Sequence, residues 1–101
     1  MSTVHFRLRI PAAAARTIRG LHPDLKRKIR SGLDALLADP HTGKTLQRDL
    51  SGLWSHRVGR LRIVYRIAAG RIVELIAVGP RSTIYEETYR LVKKRPAGRP
   101  D

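Results

Sequence analysis

Cysteine is absent from the 101-residue chain. Its absence removes disulfides, thiol nucleophiles and thiolate metal sites together, and it suits a reducing compartment. Acidic residues are scarce: 8 Asp+Glu stand against 21 Lys+Arg, a formal charge of +13. An imbalance of that size in a short chain points to a polyanionic partner, whether nucleic acid, an anionic membrane or an acidic protein. No apolar run approaches the roughly 18 residues needed to cross a bilayer. The alanine run at 12–15 does not read as a signal peptide, because Arg7, Arg9 and Arg16 interrupt any hydrophobic region around it. The expected location is cytoplasmic, with no membrane contact.

Metal and cofactor motifs are missing as well. His5, His22, His41 and His56 fall on different segments with no i,i+4 pair and no carboxylate cluster beside them, so neither a zinc nor a two-metal site is expected. Glu86 and Glu87 are adjacent and point apart on a helix, where they read as a solvated first turn favoured by the helix dipole. There is no glycine-rich phosphate loop and no nucleophile elbow. No cofactor is expected.

What is present reads as one α+β domain over residues 1–92, followed by a basic tail over 93–101 in which disorder is expected. "VHFRLRI", residues 4–10, alternates apolar and polar as a half-buried strand does, and Pro11 ends it. The alanine-rich stretch 12–19 favours a helix up to Gly20. A second helix is expected over 23–38, where Leu25, Ile29, Leu33, Leu36 and Leu37 form one apolar stripe with Lys26, Arg27, Lys28 and Arg30 off it. Residues 39–52 read as a loop by their Pro, Gly and polar content, with Leu46 and Leu50 as anchors to the core. Three antiparallel strands follow as a meander, the last being "RIVELIAV" at 71–78, which Gly79-Pro80 is expected to stop. A final helix of about three turns is expected after Ser82, a candidate N-cap. The order is strand, helical hairpin, three-stranded meander and C-terminal helix, a two-layer fold.

The stretch "LWSHRVGRLRIVY" carries the sharpest signal. A two-residue turn at Gly59-Arg60, of the type whose first position favours glycine, pairs Val58 with Leu61, Arg57 with Arg62, His56 with Ile63 and Trp54 with Tyr65. Alternation puts Trp54, His56, Val58, Leu61, Ile63, Tyr65 and Ile67 on one face, the expected core face. Ser55, Arg57, Arg62, Val64 and Arg66 take the other. Like charges directly opposite each other cost stability, so the two arginines either splay into water or serve an anion. No acidic residue occurs from Leu50 to Val73, a span that holds Arg57, Arg60, Arg62, Arg66 and Arg71. Beyond the last strand come Arg81 and, one helical turn on, Tyr85. If that strand lies beside the hairpin, Arg57, Arg62, Arg81 and Tyr85 converge on one face, able to grip a phosphodiester through paired guanidinium hydrogen bonds.

These residues, "GLWSHRVGRLRIVY" followed by "AVGPRSTIY", resemble the RelE/ParE superfamily, the toxin halves of bacterial type II toxin-antitoxin modules, over about residues 4–92. The resemblance to its RelE-like branch implies a ribosome-dependent endoribonuclease that cuts messenger RNA without a metal. Arg57, Arg62, Arg81 and Tyr85 match that branch's catalytic positions, with Tyr85 as the proton acceptor and the arginines on the scissile phosphate. Arg60, Arg66 and Lys44 are taken as further RNA phosphate contacts. The pattern departs at one place: two residues before Arg57, where the branch has a second lysine, this chain has Ser55. The alternative branch, ParE-like, keeps the fold without the nuclease site and inhibits DNA gyrase by binding it. Either branch implies a cognate antitoxin as partner, and contact with DNA only through the antitoxin complex; the first adds the ribosome and its messenger RNA.

Overall fold

The computed structural model describes residues 6–93. β1 (Arg7–Arg9) leads into α1 (Ala12–Arg19) and α2 (Pro23–Ala38), then through short 3-10 turns and β2 (Lys44–Thr45) to β3 (Trp54–Val58), β4 (Leu61–Ala68), β5 (Ile72–Pro80) and α3 (Arg81–Lys93). The tail expected over 93–101 lies outside the described residues except for Lys93, which closes α3, and so do Val4 and His5 of the first expected strand.

The strands form one sheet in the order β1-β5-β4-β3-β2, with β1 parallel to β5 and the other pairs antiparallel. The hairpin register is the one that the Gly59-Arg60 turn dictates, with Trp54 opposite Tyr65 and Arg57 opposite Arg62. Gly59 supplies the positive φ, 60°, that the first position of this turn requires. α2 also spans its apolar stripe, burying Ile29, Leu33 and Leu36. Gly32 lets it lie close on β3: a Cβ there would stand 2.7 Å from Val58 Cγ2.

Three features differ from expectation, each for a physical reason. The segment 39–52 contains a fifth strand, β2, too short to show any alternation. It is held in place by backbone pairing to β3 and by the buried Tyr65 hydroxyl, which donates to the Pro40 carbonyl at 2.5 Å. β5 runs on through Gly79 and Pro80, which lie opposite Arg62 and Leu61; proline at the strand's last residue breaks little of the ladder. α3 consequently begins at Arg81 rather than after Ser82, which is its second residue.

Both faces of the sheet are covered. On one, Leu61, Ile63, Tyr65, Val73, Leu75 and Val78 pack against Ala14 of α1 and Ile29, Leu33 and Leu36 of α2. On the other, Leu53, Val64, Ala77 and Ile84 form a smaller core, with Leu46, Leu50 and Tyr85 against it. Leu46 and Leu50 are thus the anchors that their place in a polar loop suggested. A bulge in β5, where Val64 faces Ala77 but Tyr65 faces Leu75, adds one residue on the α3 side. Gly79 leaves room for α3 to close down beside Arg62, since a Cβ there would stand 3.3 Å from Ile84 Cδ1.

Candidate functional site

The α3 side of the sheet carries the basic residues. Arg62 of β4 and Arg57 of β3 stand opposite each other near the hairpin tip, Arg60 is in the turn itself, and Arg81 follows directly on Pro80, the residue paired with Leu61. Four arginines therefore meet at one end of the sheet. Arg57, Arg60, Arg62 and Arg81, with Gly59 and Leu61, line a cleft of about 140 Å³, several times the roughly 30 Å³ that one water takes in the liquid and so room for a small anion. No carboxylate lines it. The first turn of α3, with no acidic residue in it, adds the positive end of a helix dipole at the same place.

The two facing arginines do not point at each other. Arg57 Nε donates to the Gly59 carbonyl at 3.3 Å, turning toward the tip. Arg62 Nη1 donates to Ser55 Oγ at 3.3 Å, running back along the strands. Each guanidinium is held by a neutral oxygen, so it is ordered without being neutralised. Ser55 in turn lies 3.1 Å from the Tyr85 hydroxyl. Tyr85 sits one helical turn after Arg81 and is half-buried against the smaller core.

Of the expected site residues, Arg57, Arg62 and Arg81 share the cleft, and Tyr85 joins them through Ser55 and Arg62. Arg60 also lines the cleft. Lys44 is exposed on β2 directly opposite Ser55, which puts it on the same face as the cluster. Arg66 is not brought to it: four residues along β4 from Arg62, roughly 13 Å at 3.3 Å per residue, it donates from Nε and Nη2 to the buried Glu74 carboxylate. Arg9 Nη1 approaches the same carboxylate at 3.9 Å. The sequence alone marks Ser55 only as a departure from the family pattern. Alternation places it on the face of Arg57 and Arg62, but its partner lies thirty residues on and no local signal points to it.

Larger hollows lie elsewhere. A groove of about 600 Å³ between β1 and the helical hairpin is walled mostly by apolar side chains such as Leu8, Ile10, Ile18 and Leu33, with Lys26, Arg27, Arg30 and the carboxylate of Asp34 also lining it. An open groove between α2 and β3 is lined by Arg27, Lys28, His56 and Arg57; burial there lowers the His56 pKa.

Comparison with known proteins gives a consistent picture. Residues 9–85 match the family described as the ParE toxin of the type II toxin-antitoxin system, parDE. A curated toxin RelE from Mycobacterium tuberculosis is 38% identical over 89 residues, covering 84% of this chain and 92% of its own length. Among solved structures, the toxin-antitoxin complex RelBE2 from M. tuberculosis contains a chain that superposes with a TM-score of 0.70 at 30% identity, covering 77% of this chain and all of that one. A variant of Escherichia coli toxin RelE in the free state gives 0.73 at 20% identity, covering 91% of this chain and 98% of that one, a likeness of fold.

Proposed function

This chain belongs to the RelE/ParE superfamily and is a toxin of a type II toxin-antitoxin system; from that premise we propose that it is a RelE-like, metal-independent endoribonuclease acting on messenger RNA in the ribosome. The observation that supports this reading best is the gathering of Arg57, Arg62 and Arg81 in one cleft, with the Tyr85 hydroxyl tied to Arg62 through Ser55.

In the proposed reaction the RNA's 2′-oxygen attacks the adjacent phosphorus and the bond to the 5′-oxygen breaks. The products are a 2′,3′-cyclic phosphate and a 5′-hydroxyl end. Tyr85 in its phenolate form takes the 2′-hydroxyl proton and becomes the phenol. Arg57 and Arg62 grip the nonbridging oxygens as charge builds on them, and Arg81 adds to that grip and steadies the departing 5′-oxygen, which takes its proton from water. Arg60 and Lys44 contact flanking phosphates. The antitoxin seen in complexes of the relatives, as in RelBE2, is the expected partner of this chain too, and a net charge of +13 favours an acidic segment across the cleft.

The test is to incubate the antitoxin-free protein with a defined messenger RNA, with and without programmed ribosomes, and to map the 5′ ends. Ribosome-dependent cuts that fall by about 10² to 10³ in rate in Arg81→Ala, the usual cost of losing one charge-stabilising donor, support the nuclease; intact RNA in every lane refutes it. A second reading, a ParE-like inhibitor that binds DNA gyrase, is favoured by Ser55 in place of a lysine and by the family description matched at 9–85. Loss of supercoiling activity when the protein is added to gyrase, retained in Arg81→Ala and Tyr85→Phe, would establish it.

A further inference from the structure

We propose that Ser55 is a positioning residue of the cleft, holding the Tyr85 oxygen in place by joining it to Arg62. The inference rests on the nuclease reading for its consequence, but not for its geometry. Ser55 is 2% exposed, and its hydroxyl is 3.1 Å from the Tyr85 hydroxyl and 3.3 Å from Arg62 Nη1.

A serine hydroxyl offers one proton and two lone pairs, whereas a guanidinium can only donate. Arg62 therefore occupies one lone pair, and the other lone pair and the proton remain for Tyr85. With the phenol protonated, Ser55 accepts its hydrogen bond. With the phenol deprotonated, Ser55 donates instead. The bond reverses without either oxygen moving, so a tyrosine that gives and takes a proton keeps one position through the step. The Arg62 contact prevents the serine from turning elsewhere. Among the described residues the hydrogen bond to Ser55 is the one that holds the Tyr85 oxygen, while the residue as a whole packs against the smaller core. Position matters here, since small misplacements of reacting groups cost rate steeply.

The experiment compares Ser55→Ala, Ser55→Thr, Tyr85→Phe and the Ser55→Ala/Tyr85→Phe pair in single-turnover cleavage of messenger RNA on programmed ribosomes, with folding checked by thermal melting. Ser55→Ala is expected to slow cleavage about 10-fold, the scale of one lost hydrogen bond, with the half-saturating ribosome concentration unchanged. Ser55→Thr, which keeps the hydroxyl, should recover most of the rate. Added to Tyr85→Phe, Ser55→Ala should lose most of its effect, keeping only the part that runs through the Arg62 contact, because a residue that acts through another has little effect once that one is gone. Should Ser55→Ala not fold, Ser55→Cys replaces it, similar in shape but a weak hydrogen-bonding group. A folded Ser55→Ala protein that cuts at the wild-type rate overturns the proposal, as does an undiminished effect in the Tyr85→Phe background. A second readout needs no cleavage: in protein labelled with 3-fluorotyrosine, the Tyr85 fluorine resonance, identified by its loss in Tyr85→Phe, should shift in Ser55→Ala and return in Ser55→Thr. If the wild type cuts no RNA, the nuclease reading falls and this resonance alone decides; an unmoved signal overturns the Ser55 contact.

Discussion

Tyr65 offers the cleanest test of how the sheet edge is held. Its side chain is fully buried, and its hydroxyl donates to the carbonyl of Pro40, itself buried. The ring stacks on Trp54 at 6.3 Å with an interplanar angle of 22°. Tyr65→Phe keeps the stacking and removes the hydroxyl, leaving the buried Pro40 carbonyl without its donor and the Gly43 backbone without its acceptor, at a cost of about 1–3 kcal/mol. At roughly 4–8 °C per kcal/mol for a domain of this size, the melting midpoint should fall by about 10 °C. The loop it anchors should loosen, since Gly43 lies so close to the Tyr65 hydroxyl that a Cβ there would overlap it at 2.2 Å.

The same hydroxyl carries a pH signature. Burial, with a smaller contribution from Asp39, pushes the Tyr65 pKa up from 10.0 to about 12 despite an opposing hydrogen bond from the Gly43 backbone. The folded value lies above the unfolded one, so the wild type has this stabilisation in full below pH 10 and loses it between pH 10 and about 12. Two pKa units correspond to about 3 kcal/mol at most. Urea denaturation of the wild type and Tyr65→Phe at a series of pH values checks both effects. The two stability curves should converge as the pH rises through this range. Equal stabilities at neutral pH, or curves that stay parallel to pH 12, would refute the buried donor.

The remaining predictions concern charge. His56, its pKa lowered by burial, contributes stability that is present above the unfolded value of 6.5 and is lost as the pH falls below it; His56→Leu should flatten that acid limb in thermal melts. Arg66→Ala takes two hydrogen bonds from the buried Glu74 carboxylate, leaving it, among the described residues, with Arg9 at 3.9 Å, and should destabilise by about 1–3 kcal/mol in urea titrations. Added salt should raise the melting point of the antitoxin-free protein as the screening length falls from about 30 Å at 0.01 M to about 10 Å at 0.1 M, and less so in Arg60→Gln than in Arg19→Gln, which lies on α1 outside the cleft.

How much of the fold and the cleft is legible in the sequence depends on whether a local rule governs the residues concerned. The Gly59-Arg60 turn dictates its own register, so the opposition of Arg57 and Arg62 can be read from the amino-acid order alone. α2 is equally readable, because its apolar stripe runs from Leu25 to Leu37 without a break. β2 is not, since two polar residues have no period, and their strand is set by pairing with β3 and by the hold of Tyr65 and Leu53 on the loop. Arg66 shows the same limit from the other side: alternation puts it on the correct face, but only the register of β4 against β5 reveals that Glu74 lies opposite. For Ser55, the strand alternation and the facing arginines are local features, whereas the contact from α3 is tertiary and leaves no mark in the sequence around it.

The placement of Glu74 explains why the cleft keeps its charge. It is the buried carboxylate of the sheet, and it is held at the far end of the α3 face by Arg66, with Arg9 beyond. That end is neutralised. At the other end Arg57 and Arg62 are oriented by the Gly59 carbonyl and the Ser55 hydroxyl, which order a guanidinium while leaving its charge intact. Ordering a cation with a carboxylate would be stronger, but it would oppose any incoming phosphate; ordering it with neutral oxygens leaves the full attraction for the ligand. One face of a single sheet thus separates a structural ion pair from a cleft of uncompensated arginines, and the lack of acidic residues from Leu50 to Val73 is the sequence trace of that separation.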